Sequence, residues 1–306
     1  MATVGVDRLW VSELVSEGFL ALYSVEKVIE SIKTNYQNVL IVETTPFGKC
    51  LIIDGKVQSS LLDEHIYHES LVHPALVTVG NPLNVLIIGG GEGATAREVL
   101  KWKTVESVVM VELDPSVVQL CRRVLPEMSD GVFEDRRFKL VVAEGRGYLE
   151  SLGDGSLDAV VVDVTDPYEG APSQRLYSQE FYKLVYRKLG DNGVLVTQAT
   201  SVVHSPFTFK SILETIRTVF PCITPLAAYV PSFSSLWGFV VGSKSRACNS
   251  LLVEQIDEIL SHHISGPLKF YSGKVHNTLL QLAETYLKLS NSKYKIVRDE
   301  DLVAIP

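Results

Sequence analysis

The chain of 306 residues is 46% hydrophobic and carries a formal net charge of −8. Its lysines and arginines form no cluster, which argues against a nucleic-acid or anionic-membrane surface and favours a small cationic partner. No apolar run reaches about 18 residues, and the four cysteines form no CxxC pair, so we expect a cytoplasmic protein without a membrane span or a zinc ribbon.

The first part of the chain is predicted to form a small antiparallel β domain. The runs NVLIVET (38–44) and KCLIIDG (49–55) have β-like composition, and the turn signals TPFGK and DGK bound them. The following stretch HIYHESLVHPAL has apolar residues at helical spacing until GNPLN interrupts it. We place a boundary near residue 78, which divides the chain into domains 1–78 and 79–306.

From residue 84 onward, apolar strands alternate with helical segments. Fully apolar strands separated by helices are typical of a parallel sheet covered on both faces. We therefore predict a Rossmann-like, doubly wound α/β domain. Two amphipathic stretches after residue 246 are assigned to packing helices. The predicted strands are NVLIIGGG, VESVVMVELD, FKLVVAEG, LDAVVVDVTD and GVLVTQAT.

The first strand of this domain ends in the glycine-rich segment IIGGGEGATARE. Gly89, Gly91 and Ala94 match the GxGxxG/A pattern, in which glycines permit a tight turn and close backbone approach at a helix N-terminus. Glu112, at the end of the second strand, is placed to accept both hydrogen bonds of a ribose diol. The alternative is a glycine turn that only packs a helix on the sheet. With Glu112 included, the pattern favours a nucleoside site.

Two further acids distinguish this site from a dinucleotide site. Glu144, followed by Gly145, ends the third strand and is placed to receive an adenine amino group, although a solvated strand-end charge is the simpler alternative. Glu92 inside the glycine loop would repel a pyrophosphate and attract the alkylamine chain of a sulfonium. These acids argue against an NAD dehydrogenase.

Three carboxylates follow the fourth strand in VVVDVTDPYEGAP. Asp163, Asp166 and Glu169 are like charges in close sequence, so stability alone does not explain them. They predict an acidic mouth for a second, cationic substrate. The alternative is an ordinary negatively charged surface loop.

The stretch HIYHESLVH invites comparison with a metal site. His65, His68, Glu69 and His73 do not have HExxH spacing, and no other ligand pair is present, so no metal is predicted. Tyr67 and His68 are instead predicted to wall a pocket. The aromatic residues of YVPSFSSLWGF are by default core residues.

Taken in order, these motifs from about Tyr36 to Lys244 resemble the polyamine aminopropyltransferase family, which includes spermidine and thermospermine synthases. The resemblance implies a small β domain before a Rossmann-like, methyltransferase-type domain, assembled as a homodimer or homotetramer. It implies transfer of an aminopropyl group from the co-substrate decarboxylated S-adenosylmethionine to putrescine, agmatine or spermidine, with release of methylthioadenosine. It implies neither a metal nor another cofactor.

The resemblance also implies roles on the donor side. Glu112 is expected to bind the ribose hydroxyls and Glu92 the donor amine. The remaining donor-side residues are expected to surround the nucleoside, with Glu144 and Pro172 at the adenine. They are Gln37, Gly89, Gly91, Glu144, Gly145 and Pro172.

On the acceptor side, Asp163 opens the DxxDP motif and is implied to be the proton acceptor. Asp166 is implied to anchor the acceptor amine. Two departures from the family, the longer DPYEGAP loop with Glu169 and a phenylalanine where the family has tyrosine, indicate a longer or broader acceptor. The other acceptor-side residues are Tyr67, His68, Glu92, Phe233 and Trp237.

Two other functions are compatible with parts of this pattern. A small-molecule S-adenosylmethionine methyltransferase would share the nucleoside site but would not need the DxxDP acid pair. A catalytically silent, polyamine-binding relative would not need Asp163.

Overall fold

The computed structural model describes residues 9–305. Its first unit is a five-stranded antiparallel sheet in the order β1-β2-β3-β4-β5. Asp54 and Gly55, at φ 48° and 77°, form the two-residue turn between β4 and β5, as the DGK signal predicts. The strands are β1 (Leu9–Ser16), β2 (Phe19–Lys33), β3 (Asn38–Thr44), β4 (Gly48–Ile53) and β5 (Lys56–Ser60).

The second sheet has seven strands in the order β11-β12-β10-β9-β6-β7-β8. Strands β6 to β10 are parallel, which confirms the predicted Rossmann-like fold. The antiparallel pair β11 and β12 completes one edge and is not part of the sequence-based prediction. The strands are β6 (Asn84–Gly89), β7 (Ser107–Glu112), β8 (Phe138–Val142), β9 (Leu157–Asp163), β10 (Leu189–Ser201), β11 (Cys222–Val230) and β12 (Ser235–Ser243).

Helices cover both faces of the second sheet. Along β6, Val85 and Ile87 belong to one core, whereas Leu86 and Ile88 belong to the other, as expected for a strand buried on both faces. The helices are α1 (Glu64–Val79), α2 (Ala94–Leu100), α3 (Pro115–Val124), α4 (Pro126–Ser129), α5 (Gly145–Ser151), α6 (Gln179–Lys188), α7 (Pro206–Arg217), α8 (Val253–His263) and α9 (Gly273–Leu289).

Helix α1 connects the two sheets and packs against β10, β11 and β12. The division of the chain near residue 78 stays a prediction. Across residues 9–305, none of the helices combines the length and the apolar composition needed to cross a membrane.

Candidate active site

A cavity of about 460 Å³ lies beyond the carboxyl ends of β6, β7 and β9, between the two sheets. This is where ligands bind in doubly wound folds. Every residue that the sequence assigned to a site lines this one cavity. They are Gln37, Tyr67, His68, Gly89, Gly91, Glu92, Glu112, Glu144, Gly145, Asp163, Asp166, Glu169, Pro172, Phe233 and Trp237.

The glycine loop after β6 brings backbone and acids into close contact. Gly89 has φ 85°, and a Cβ atom there would lie 2.1 Å from the backbone oxygen of Asp163. The same oxygen accepts a 2.8 Å hydrogen bond from Gly90 N–H. A Cβ atom at Gly91 would lie 3.2 Å from Oε2 of Glu112. Only glycine allows the loop to approach β9 this closely.

Glu112 ends β7 on the side of the cavity predicted to hold the nucleoside. Burial raises the pKa of its carboxyl to about 7, although Asp114 N–H donates a 2.9 Å hydrogen bond to Oε1. Gln37 reaches this region from the first sheet, and its Nε2 donates to Oδ2 of Asp114 at 3.2 Å. Asp114 therefore ties the two sheets together, a role that the sequence analysis did not identify.

Glu144 caps helix α5 at the outer end of this region. Its Oε1 accepts from Arg146 N–H at 2.9 Å and its Oε2 from Gly147 N–H at 2.7 Å. A Cβ atom at Gly145 would lie 2.4 Å from Cγ2 of Ile88, so this position also requires glycine. The contact of Glu144 with adenine stays a prediction.

Asp163 ends β9 in the middle of the cavity, and both its carboxylate oxygens are fixed by hydroxyl groups. Tyr67 donates to Oδ1 at 2.7 Å, and Thr95 donates to Oδ2. Burial raises the pKa of Tyr67 well above its ordinary value, so this hydroxyl donates as a neutral group. Asp163 is therefore oriented before any substrate enters.

His68 is a buried residue of the cavity lining and lies between two carboxylates. Its Nδ1 is 3.0 Å from Oε2 of Glu64, and its Nε2 is 3.1 Å from Oε1 of Glu92. Burial lowers the pKa of His68, but these two carboxylates outweigh it and raise the pKa to about 10. The ring is thus an imidazolium that holds Glu92 in place. Its predicted contact with substrate amines stays a prediction.

Two other polar residues of α1, His73 and Glu69, form buried contacts with other parts of the fold. Nε2 of His73 lies 3.0 Å from Oε2 of Glu98, and both side chains are fully buried. Glu69 accepts three backbone N–H groups from residues 269–271. Across residues 9–305, no group of three or more histidine, cysteine or acidic side chains is arranged to hold a metal ion.

The side of the cavity predicted to hold the acceptor is formed by residues 164–171, here called the acidic loop, and by aromatic rings. Asp166 is buried, and burial raises its pKa to about 7; Gln198 Nε2 donates to its Oδ1 at 3.1 Å. Glu169 is exposed at the mouth. The Phe233 ring packs edge-on against Trp237, with centroids 4.8 Å apart. Because residue 233 is a phenylalanine, it presents no hydroxyl group to the cavity.

Several cavity residues come from segments that carried no motif. Glu13 of β1 is buried and accepts from Tyr23 hydroxyl and Val57 N–H, each at 3.3 Å. Lys56 of β5 also lines the cavity. Near the C-terminus, Ile305 N–H donates to the Pro167 carbonyl at 3.0 Å, so the tail braces the acidic loop. The only sequence feature that could have identified Glu13 as a cavity residue is the presence of an acidic residue within a mostly apolar strand.

Comparisons with known proteins identify related domains and sequences. Residues 64–251 match the spermine/spermidine synthase domain, and residues 9–60 match the spermidine synthase tetramerisation domain. The chain is 41% identical to polyamine aminopropyltransferase 2 of Hyperthermus butylicus, over 97% of each chain. It is 43% identical to the polyamine aminopropyltransferase of Sulfurisphaera tokodaii, over 93% of this chain and 94% of the relative.

Two solved structures are also similar. A spermidine synthase in complex with the transition-state analogue AdoDATO superimposes with a TM-score of 0.85 at 28% identity, covering 95% of this chain and 99% of that chain. The spermidine synthase of Thermotoga maritima superimposes with a TM-score of 0.83 at 28% identity, covering 95% and 98%.

Proposed function

The chain belongs to the spermine/spermidine synthase family, and from this premise we propose how its cavity performs the family's reaction. The protein is a polyamine aminopropyltransferase, as the sequence resemblance predicted. It transfers an aminopropyl group from decarboxylated S-adenosylmethionine to an aliphatic amine and releases methylthioadenosine. The roles of individual residues and the identity of the acceptor are the proposed part.

The observation that carries the mechanism is that Asp163, held by two hydroxyl groups, lines one cavity with the acids predicted to bind the donor and those predicted to bind the acceptor. An aliphatic amine has a pKa of about 10, so at neutral pH it is protonated and cannot attack carbon. Asp163, oriented by Tyr67 and Thr95, accepts the proton as the attack begins. The nitrogen forms a bond to the aminopropyl carbon, the carbon–sulfur bond breaks, and the sulfur takes the electron pair.

The donor is held by the opposite half of the cavity. Glu112 binds the ribose hydroxyls beside the glycine loop, and Glu92 attracts the amine of the aminopropyl chain. Holding amine and carbon in line lowers the barrier by up to about 7–11 kcal/mol in favourable model reactions. Because the leaving group is a neutral thioether, departure needs no acid.

The acceptor is proposed to be a linear aliphatic amine such as putrescine, agmatine or spermidine. A buried carboxyl at Asp166 and an exposed carboxylate at Glu169 supply negative charge along the entry path. Phe233 and Trp237 supply an apolar wall for a methylene chain. The expected cytoplasmic location stays a prediction.

We also propose that the protein is a homo-oligomer built through the first sheet. Residues 9–60 match a tetramerisation domain. The hairpin of β1 and β2 exposes large apolar side chains, as an interface would. These are Leu9, Trp10, Leu14, Phe19, Leu20, Leu22 and Val28.

The decisive experiment measures methylthioadenosine release from decarboxylated S-adenosylmethionine with putrescine, agmatine, spermidine and norspermidine offered separately. Asp163→Asn should reduce turnover by about 10²–10⁴-fold while the donor still binds, because the general base is lost and the nucleoside contacts remain. The matched control is Asp191→Asn, which changes an exposed aspartate of the same domain. Full activity in Asp163→Asn would overturn the assigned role.

A further inference from the structure

A lysine lies among the acids of the acceptor side. Lys56 is the first residue of β5 and follows the Asp54–Gly55 turn, which fixes the direction in which its side chain leaves the sheet. It lines the same cavity as Glu13 and Asp166. A cation is unexpected in a pocket that receives cationic amines.

Two contacts from opposite walls fix the Lys56 ammonium. Its Nζ donates a hydrogen bond to the backbone oxygen of Leu14, next to Glu13 in β1. It also lies 5.4 Å from the ring centroid of Tyr168 in the acidic loop. The Tyr168 hydroxyl in turn lies 3.4 Å from Oδ2 of Asp166. Lys56 therefore spans the gap between β1 and the acidic loop.

The charge of Lys56 acts on both buried acids without a direct ion pair. None of the ion pairs found within residues 9–305 includes Lys56. Burial raises the pKa of Glu13 and of Asp166, and the nearby positive charge of Lys56 opposes both shifts. The ammonium is thus close enough to act on both carboxyls without forming an ion pair with either of them.

The positions of the acids and of Lys56 in the cavity affect how long an acceptor can be. Asp163, at which the acceptor nitrogen is proposed to react, lines the same cavity as Asp166 of the acidic loop and Glu13 of β1. Glu13 is near enough for its negative charge to act on Asp166. With its reacting nitrogen at Asp163, a long acceptor that extends past Asp166 would bring a further ammonium to Glu13 and the positive charge of Lys56. Like charges at short range repel, and they repel more strongly in a partly buried cleft than in water.

We propose that Lys56 determines acceptor length: its ammonium supplies the positive charge that the far end of a triamine would otherwise supply. This inference rests on the proposed aminopropyl transfer. The chain then favours a diamine that ends near Asp166 over a triamine that extends to Glu13. The longer acidic loop and Phe233 suggested a longer acceptor. Under this proposal, the charge of Lys56 limits the length of the acceptor in spite of these two features.

The test compares kcat/KM for spermidine and for putrescine in three variants. Lys56→Met removes the charge and the hydrogen bond to Leu14, Lys56→Gln removes the charge but keeps a donor, and Lys56→Arg keeps both. We expect the spermidine-to-putrescine ratio to rise about tenfold in Lys56→Met and in Lys56→Gln, a change of about 1.4 kcal/mol, and to stay within about twofold in Lys56→Arg.

Thermal unfolding of each variant separates a fold defect from a change in specificity. An unchanged ratio in Lys56→Gln would overturn the proposal, as would equal losses with both amines in Lys56→Met, which would indicate that the lysine only holds β1. Failure of the underlying function has a different signature, because the unaltered chain would then release no methylthioadenosine with any amine.

Discussion

Nε2 of His68 lies 3.1 Å from Oε1 of Glu92, and the histidine is only 1% exposed. The other ring nitrogen bonds Glu64, which in turn pairs with Arg97 at 2.6 Å. Charges therefore alternate from helix α2 to the cavity wall in the order Arg97, Glu64, His68 and Glu92. Glu92 is the last of these four charged side chains, and it is buried together with Glu64 and His68.

Removing the histidine should be costly for the fold. His68→Ala leaves two buried carboxylates without their shared partner, and we expect the free energy of unfolding to fall by about 3–5 kcal/mol. Urea unfolding at pH 7 measures this loss. His65→Ala, on the same helix at a partly exposed position, is the control and should change stability by less than about 1 kcal/mol. Similar losses of unfolding free energy in both variants would show that the ion pairs of His68 do not stabilise the fold.

The same group predicts a pH dependence of stability. Because the folded pKa of His68 is raised to about 10, its stabilising contribution is present in full below the ordinary pKa of about 6.5. The contribution is lost as the pH rises through 10. The unfolding free energy of the unaltered protein should fall between pH 7 and 10, and His68→Gln should lack this component of the slope. Identical slopes would show that His68 is neutral in the fold.

Glu92 is expected to select the donor. Its carboxylate beside the alkyl chain would repel the carboxylate of intact S-adenosylmethionine and attract the amine of the decarboxylated form. Glu92→Gln keeps an acceptor for His68 Nε2 and removes the charge. We expect the preference for the decarboxylated donor to fall at least about tenfold, as measured by calorimetric dissociation constants for the two compounds. Unchanged relative affinities would refute this role.

The motif residues could be predicted because local sequence places them. Gly89, Glu112 and Asp163 end neighbouring parallel strands, and the carboxyl ends of parallel strands meet at one edge of a sheet. A strand, its terminal acid and the following turn are contiguous in sequence. Their convergence on one cavity therefore follows from recognising the fold.

Residues that reach the cavity from distant segments could not be predicted in this way. In β1 the apolar side chains of Leu9 and Leu14 are exposed, whereas Glu13 is buried, the reverse of ordinary alternation. Lys56 was interpreted only as part of a turn, and Ile305 reaches the cavity through pairing with the acidic loop. Their positions depend on how the two sheets and the tail pack together, which no local pattern encodes.

Acceptor binding should depend on the ionisation of Asp166. Burial raises its pKa to about 7, so the carboxylate that is proposed to bind the acceptor ammonium forms as the pH rises through this value. With saturating donor, KM for putrescine should fall about tenfold between pH 6 and 8, since the ionised fraction rises from about 0.1 to about 0.9. The donor must be saturating because the pKa of Glu112, which is predicted to bind the donor, is also raised to about 7. Otherwise a pH dependence of donor binding would add to that of the acceptor.

Asp166→Asn isolates this contribution. The variant should bind putrescine more weakly at pH 8, and its KM should be nearly independent of pH over the same range. Its donor affinity should equal that of the unaltered protein, since Asp166 lies on the acceptor side. A pH dependence of KM that persists in Asp166→Asn would assign the titration to another group.

The exposed apolar hairpin of the first sheet predicts the assembly. Leu14 and Leu20 are direct cross-strand partners and are 53% and 55% exposed, so one face of the β1–β2 ribbon is apolar and uncovered in a single chain. Leu20→Glu together with Leu22→Glu should lower the mass measured by light scattering to that of a smaller species, because an interface core tolerates charge poorly. Leu289→Glu, at a position 73% exposed on α9, is the control and should leave the mass unchanged. An unchanged mass in the hairpin variant would place the subunit interface elsewhere on the chain.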